Sequence, residues 1–251
     1  MLKKRLIPTV LFKDYALVKS IQFANLRMLG NPIQTVKVYN ARNVDELVFL
    51  DVGAPIDNHH PIFSVISEIS EECFMPLTVG GGIKTIDHIR KLLQIGADKV
   101  SLNTHAFTNP SLISQAANKF GRQAIVISID AKKTKPHRYE VFIKGGKQNT
   151  SKEITMWAKE VAELGAGEIL LTSIDQDGKM NGFDTTLIQQ VSEAVRIPII
   201  ASGGAGIPEH FISAIKNGAD AVAAASIFHF TQYTPLSIKI AMHKKGIPVR
   251  L

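Results

Sequence analysis

Short apolar runs rich in Val, Ile and Leu alternate along this chain with amphipathic stretches. The runs read as eight strands, near 5–11, 47–51, 76–80, 98–102, 124–130, 168–173, 197–201 and 221–225. They lack a clean in-and-out alternation, the pattern of parallel strands buried on both faces. Between them, segments such as Ile86-Asp-His-Ile-Arg-Lys-Leu-Leu93 and His210-Phe-Ile-Ser-Ala-Ile-Lys-Asn217 carry helical apolar spacing. Gly96, Gly165 and Gly218 stand where such helices would end. Eight β-then-α units in 251 residues predict a single α/β domain over 1–251, a (β/α)8 TIM barrel. A doubly wound open sheet is the alternative, but it lacks its dinucleotide fingerprint here.

The chain also repeats itself. Glu46-Leu-Val-Phe-Leu-Asp51 is followed 122 positions on by Glu168-Ile-Leu-Leu-Thr-Ser173. At the same offset Pro76-Leu-Thr-Val-Gly-Gly-Gly-Ile83 falls on Pro198-Ile-Ile-Ala-Ser-Gly-Gly-Ala205, and Gly96-Ala-Asp-Lys-Val100 on Gly218-Ala-Asp-Ala-Val222. A slightly different offset sets Leu6-Ile-Pro-Thr-Val-Leu-Phe-Lys13 against Ile125-Val-Ile-Ser-Ile-Asp-Ala-Lys132, so Leu11 lies opposite Asp130. The repeat favours a closed barrel of two half-barrels, about 1–120 and 121–251, with an acid in only one of two equivalent places.

Composition narrows the class. With 45% hydrophobic and 20% charged residues the chain reads as a soluble globular protein. No apolar run reaches the roughly 18 residues of a membrane span, and Met1-Leu-Lys-Lys-Arg5 leads into a run too short for a signal-peptide core. A cytoplasmic protein is expected. The only cysteine, Cys73, excludes an internal disulfide or a cysteine-based zinc cluster and reads as a small core residue. A net charge of +7 raises nucleic acid as a partner, but the basic residues are spread out, without a binder's stripe. The charge is either a solvated surface or a field that attracts a phosphorylated substrate.

Three groups of residues carry candidate chemistry. Gly80-Gly-Gly82 with Asn103-Thr104, and their repeat mates Ser202-Gly-Gly204 with Ala225-Ser226, form two glycine turns at strand ends. Glycines let backbone N–H groups approach an oxyanion closely, and hydroxyls add donors. Two equivalent turns across a barrel mouth point to a ligand with phosphate at both ends. Asp51, Asp130, Asp175 and Asp177 gather at the same face as candidates for acid–base work, with loop capping the alternative. At the opposite end Arg5, Glu46, Lys99 and Glu168 begin strands one, two, four and six. On the residues alone these alternating charges read as a stabilising ring at the barrel base.

These stretches, with Gly165-Ala-Gly-Glu-Ile-Leu-Leu-Thr-Ser173 and Ala201-Ser-Gly-Gly-Ala-Gly206, carry a family likeness along essentially the whole chain. The sequence resembles the cyclase (HisF) subunits of imidazole glycerol phosphate synthase. The resemblance implies a barrel paired with a separate glutaminase subunit. Ammonia from glutamine would cross it to a bisphosphorylated substrate at the mouth. It implies phosphate contacts at Gly82, Asn103 and Thr104 and at Gly204, Ala225 and Ser226, a substrate-closing Lys19 after strand one, and a mouth completed by Asp51, Asp177 and Gly178. It turns the ring Arg5, Glu46, Lys99 and Glu168 into an ammonia gate, and sets Asp98 and Gln123 at the glutaminase interface. It implies no cofactor or metal, no nucleic acid and no membrane.

Asp130 matches one of the family's two catalytic aspartates, and Leu11 stands where the other belongs. Asp14 cannot replace it directly, being three residues and roughly 10 Å along. Tyr15 and Ser20 stand where the closing loop has glycines, and Gly145 where a serine is usual. An intact gate with half a catalytic pair resembles the cyclase-like paralogues of surface-polysaccharide pathways, thought to pass ammonia to a separate amidotransferase making acetamidino sugars. The expectation is an ammonia-conducting subunit with reduced or absent cyclase activity. An active histidine-pathway cyclase and a non-catalytic scaffold that activates its glutaminase are the alternatives.

Overall fold

The computed structural model describes residues 2–42 and 44–251; Met1, first of the N-terminal stretch considered above, lies outside them. The strands are β1 (Arg5–Lys13), β2 (Ala16–Ile21), β3 (Ala24–Gly30), β4 (Leu47–Asp51), β5 (Leu77–Gly80), β6 (Lys99–Leu102), β7 (Ile125–Lys135), β8 (Arg138–Ile143), β9 (Gln148–Glu153), β10 (Glu168–Ser173), β11 (Ile199–Ser202) and β12 (Ala221–Ala224). Eight of them close on themselves in the order β1-β4-β5-β6-β7-β10-β11-β12, every neighbouring pair parallel. This is the eight-stranded barrel predicted above, its strands displaced by two residues or fewer except where β1 and β7 run on. Helices such as Ile86–Gln94 and Pro208–Lys216 pack outside, and Gly96, Gly165 and Gly218 follow helix ends at positive φ.

Two hairpins project from the C-terminal ends of opposite strands. β1 continues antiparallel into β2 and β3, and β7 into β8 and β9. The segment after β1 was expected as a long loop. It folds as strands because two-residue turns at Asp14-Tyr15 and Gln22-Phe23 reverse the chain, all four residues having positive φ. Neither pair carries the Asn-Gly or Asp-Gly signature of such turns, which hides the hairpin in the sequence.

Inside the barrel, side chains point inward at every second position, as the pleat of a strand requires. Along β1 these are Arg5, Ile7, Thr9 and Leu11; Val48 and Leu50 follow Glu46; Val126, Ser128 and Asp130 share β7; Glu168, Leu170 and Thr172 share β10. The barrel is therefore stacked in layers: a charged ring at the base, an apolar middle of Ile7, Val48, Val126, Leu170, Ile200 and Ala223, and a hydroxyl-rich top. Cys73 caps the helix Phe63–Glu72, packs at the core's edge and donates its thiol to Met75 O at 3.4 Å.

Candidate functional site

Above the apolar middle lies a cavity of about 520 Å³ at the C-terminal mouth. Thr9, Ser101, Ser128 and Thr172 form its floor, and the buried Thr9 and Ser101 hydroxyls have no hydrogen-bond partner among the described residues. Its walls include Leu11, Lys19, Asp51, Gly82, Asn103, Thr104, Asp130, Asp177 and Ala225. The fold thus gathers at one cavity residues from strands that lie far apart in the chain.

Asp130 is buried at the inward end of β7, where Asn103 Nδ2 donates to its Oδ2 at 2.9 Å. Burial pushes its pKa up to about 7, and the nearby Asp177 carboxylate adds to the rise against the Asn103 bond. Asp130 can thus hold or release a proton near neutrality. Leu11, at the inward end of β1, gives the cavity an apolar wall. Asp14, at the exposed hairpin turn, is not part of the lining.

Lys19 is buried on β2 inside the cavity, its ammonium pushed down to about 8 by desolvation and held up in part by Asp177. Burial raises Asp177 in turn, opposed by Lys19 and by the Ser20 hydroxyl. His229, outside the cavity lining but close to Lys19, was not singled out from the sequence. Burial, with Lys19 beside it, drives its pKa down to about 4, and Nε2 has no hydrogen-bond partner among the described residues. No sequence signal marks it, because the helix Ser226–Phe230 reaches Lys19 only through the closure of β12 onto β1.

Asp51 is also buried, and its Oδ1 accepts from the Gly53 and Ala54 N–H groups at 3.0 Å each. Burial moves its pKa up, while those bonds and His59, 3.8 Å from Oδ2, pull it down. Asp175 lies off this cavity and takes the capping role: its Oδ2 accepts from Lys133 N at 2.8 Å.

The two glycine turns do not meet the cavity equally. Gly81, Gly82, Asn103 and Thr104 line it, joined by Lys84, His105 and Lys144, which sequence reading did not single out. At the other turn only Ser202 and Ala225 do so; Gly204 and Ser226, expected as phosphate contacts, lie outside the lining. A Cβ on Gly204 would stand 2.0 Å from Gly182 O, and Gly182 N donates to Gly204 O at 2.7 Å. That turn is packed under the loop after β10. Gly178 is likewise a packing glycine and no part of the lining: at φ +72 its missing Cβ makes room for Ser20 O, which such an atom would meet at 2.4 Å. Gln22 N bonds Asp177 O at 2.9 Å beside it, docking the first hairpin on this loop.

At the base, the four expected charges close a ring. Arg5 meets Glu46 at 2.7 Å and Glu168 at 3.0 Å, and Lys99 meets the same two glutamates at 3.0 and 3.2 Å. Thr78 Oγ1 donates to Glu46 Oε1 at 2.8 Å, so the most buried carboxylate of the ring is fully engaged. The four pairs form one circuit across the barrel axis.

Asp98 and Gln123 are exposed on the same N-terminal side. Asp98 Oδ2 also accepts from Leu77 N at 2.8 Å, as its repeat mate Asp220 does from Ile199 N at 3.2 Å. Asp98 therefore closes the start of β5 as well as facing outward. Gln123 Nε2 only donates to Phe120 O, at 3.3 Å. Among the described residues, no helix is long and apolar enough to cross a membrane and no group of His, Cys, Asp or Glu could hold a metal. A family model described as histidine biosynthesis protein matches residues 5–234 of this chain.

Proposed function

The chain belongs to the histidine biosynthesis protein family, and on that premise we propose that it is an ammonia-transferring barrel subunit built from two duplicated half-barrels. It docks a separate glutaminase on its N-terminal face through Asp98 and Gln123. Ammonia released there passes the ring of Arg5, Glu46, Lys99 and Glu168 and rises through the barrel. The hydroxyls of Thr9 and Ser101 receive it at the floor of the cavity, which takes a phosphorylated small molecule. From the mouth it reaches a sugar amidotransferase, in the cytoplasm.

The observation that carries this reading is the contrast between the two ends. The ring is a complete circuit of ion pairs, while the cavity presents Leu11 where ring closure wants a second acid–base group. A cyclase moves protons on both sides of the ring that it closes, and a positioned acid or base contributes typically about 10²–10⁴-fold. Asp130 alone, with a pKa of about 7, covers one side. The apolar middle layer suits passage of neutral ammonia and disfavours ammonium, whose charge is costly to desolvate.

An active cyclase is the second reading, favoured by one observation: Asp177 shares the cavity with Asp130 and raises its pKa, so a second carboxylate lies within electrostatic reach. Complementation of a histidine auxotroph separates the two. Absence of growth, with glutamine-driven ammonia release intact in the presence of the glutaminase, supports ammonia transfer; robust growth establishes the cyclase.

A further inference from the structure

Lys19 is held in the mouth cavity with its amine unbonded. It sits on β2, only 6% exposed, and lines the cavity. Among the described residues its Nζ makes no hydrogen bond and no ion pair. Asp177 acts on it electrostatically without reaching ion-pair contact. The backbone that carries it is fixed from both sides. Val18 lies in register with Leu11 of β1, Lys19 lies in register with Arg27 of β3, and Gln22 N is bonded to Asp177 O at 2.9 Å. A paired strand therefore presents the amine to the cavity.

A buried lysine with no counter-ion in contact gives up hydration when it ionises, so its neutral form, a nucleophile, comes within reach near neutrality. Desolvation brings the Lys19 pKa down to about 8, and Asp177 limits the fall. His229, from the helix Ser226–Phe230, stands close by and is neutral above a pKa of about 4. Asp130, in the same cavity, holds its proton up to about 7. The lining is also rich in hydroxyls, with Thr9, Ser101, Ser128 and Thr172, and the buried Thr9 and Ser101 Oγ atoms lack partners among the described residues. Unsatisfied hydroxyls beside a free amine suit a polyhydroxylated ligand, whose own hydroxyls complete them.

We infer that Lys19 is a nucleophilic amine that captures an open-chain aldose or ketose in this cavity as an imine. The neutral Nζ adds to the carbonyl carbon, and the proton it sheds passes to the carbonyl oxygen, giving a carbinolamine. Asp130 then protonates that hydroxyl, which leaves as water while the C=N bond forms. The iminium nitrogen carries the resulting positive charge, with Asp177 as its counter-charge and Asp130 left ionised. One carbonyl and one amine thus give one iminium and one water, and neither oxidant nor reductant is needed. The step uses the cavity alone and does not depend on ammonia crossing the barrel.

The test is reductive trapping on the full chain with cyanoborohydride, read by peptide mass spectrometry. Two probes are used: formaldehyde, small enough to reach any amine, and ribulose 5-phosphate, a ketose whose phosphate keeps it open-chain. With limiting formaldehyde at pH 8, Lys19 should react about tenfold faster than any other lysine, because ordinary lysines, with pKa values of about 10.4, are almost wholly protonated there. Its rate should rise with pH to a plateau, with a midpoint near 8. Ribulose 5-phosphate should leave one adduct, at Lys19, and none in Lys19→Arg, which keeps the charge and loses the nucleophile. The modified site is read in the parent chain, so the result stands whether or not the variant folds. Lys19 reacting no faster than exposed lysines, or only above pH 10, overturns the nucleophile. Reaction with formaldehyde but no adduct from ribulose 5-phosphate overturns capture of a sugar. Ammonia transfer is untouched by either failure and keeps its own assay.

Discussion

Asn103 Nδ2 donates to Asp130 Oδ2 at 2.9 Å, tying the buried carboxylate of β7 to the residue that follows β6. Asp130 has a native pKa of about 7 against an ordinary 3.8, with burial the main cause. Between those values the folded state holds a proton that the unfolded state has released. Stability is therefore fully present below the unfolded pKa and is lost as pH rises toward 7. Asp130→Asn keeps an acceptor for Asn103 and removes the titration. Its melting temperature should exceed the parent's by several degrees at pH 8, and the two should converge near pH 4. Parallel melting curves across this range would show that Asp130 does not titrate as described.

Lys99→Ala opens the base ring and leaves Arg5 as the one cation of the ring facing Glu46 and Glu168. Loss of one partner from a largely buried circuit should cost about 2–3 kcal/mol in urea unfolding, short of unfolding the barrel. Product formed from glutamine should fall, while product formed from added ammonium salt persists. Equal loss from both nitrogen sources would refute passage through the ring.

On the face proposed to dock the glutaminase, Asp98 and Gln123 are expected to behave differently. Gln123→Ala should weaken association with little change in stability. Asp98→Ala should also leave Leu77 N–H without its acceptor, a loss of about 1–3 kcal/mol. Asp98→Asn retains an acceptor and separates docking from folding. Calorimetry that finds parental affinity in Gln123→Ala and Asp98→Asn alike would move the interface elsewhere.

Gly178→Ala sets a Cβ against Ser20 O at a φ of +72. The first hairpin should then lift from the loop after β10, losing the Gln22 N–H bond to Asp177 O. A cost of about 1–3 kcal/mol follows from strain at positive φ alone. Limited proteolysis should cut within 14–30 faster than in the parent chain; an unchanged cleavage rate would mean that the hairpin does not depend on this contact.

Leu11→Asp restores a carboxylate to the cavity wall. If the missing acid is what silences ring closure, the variant should gain about 10²-fold or more in cyclase rate, at a stability cost of about 1–3 kcal/mol for a buried polar group. The gain is measured on the ribulosyl aminoimidazole carboxamide substrate of the cyclases that the chain resembles. No gain in a folded variant would place the defect in the hairpin or the altered mouth, and not in Leu11.

The sequence by itself determined the barrel, because eight apolar runs with helical segments between them leave few other ways to bury their faces. It also placed the charged ring and Asp130, since strand ends are legible and a strand's period of two carries each to the interior. The hairpins were hidden, because their turns use Asp-Tyr and Gln-Phe, and the energy that holds them comes from contacts such as Gln22 with Asp177. Gly82, Gly178 and Gly204 each sit against a neighbouring carbonyl, and of the three only Gly82 lines the cavity, a distinction that the motifs do not carry. His229, Lys84 and Lys144 were beyond reach for the same reason. Their significance lies in what stands next to them in space, and barrel closure alone brings those neighbours together.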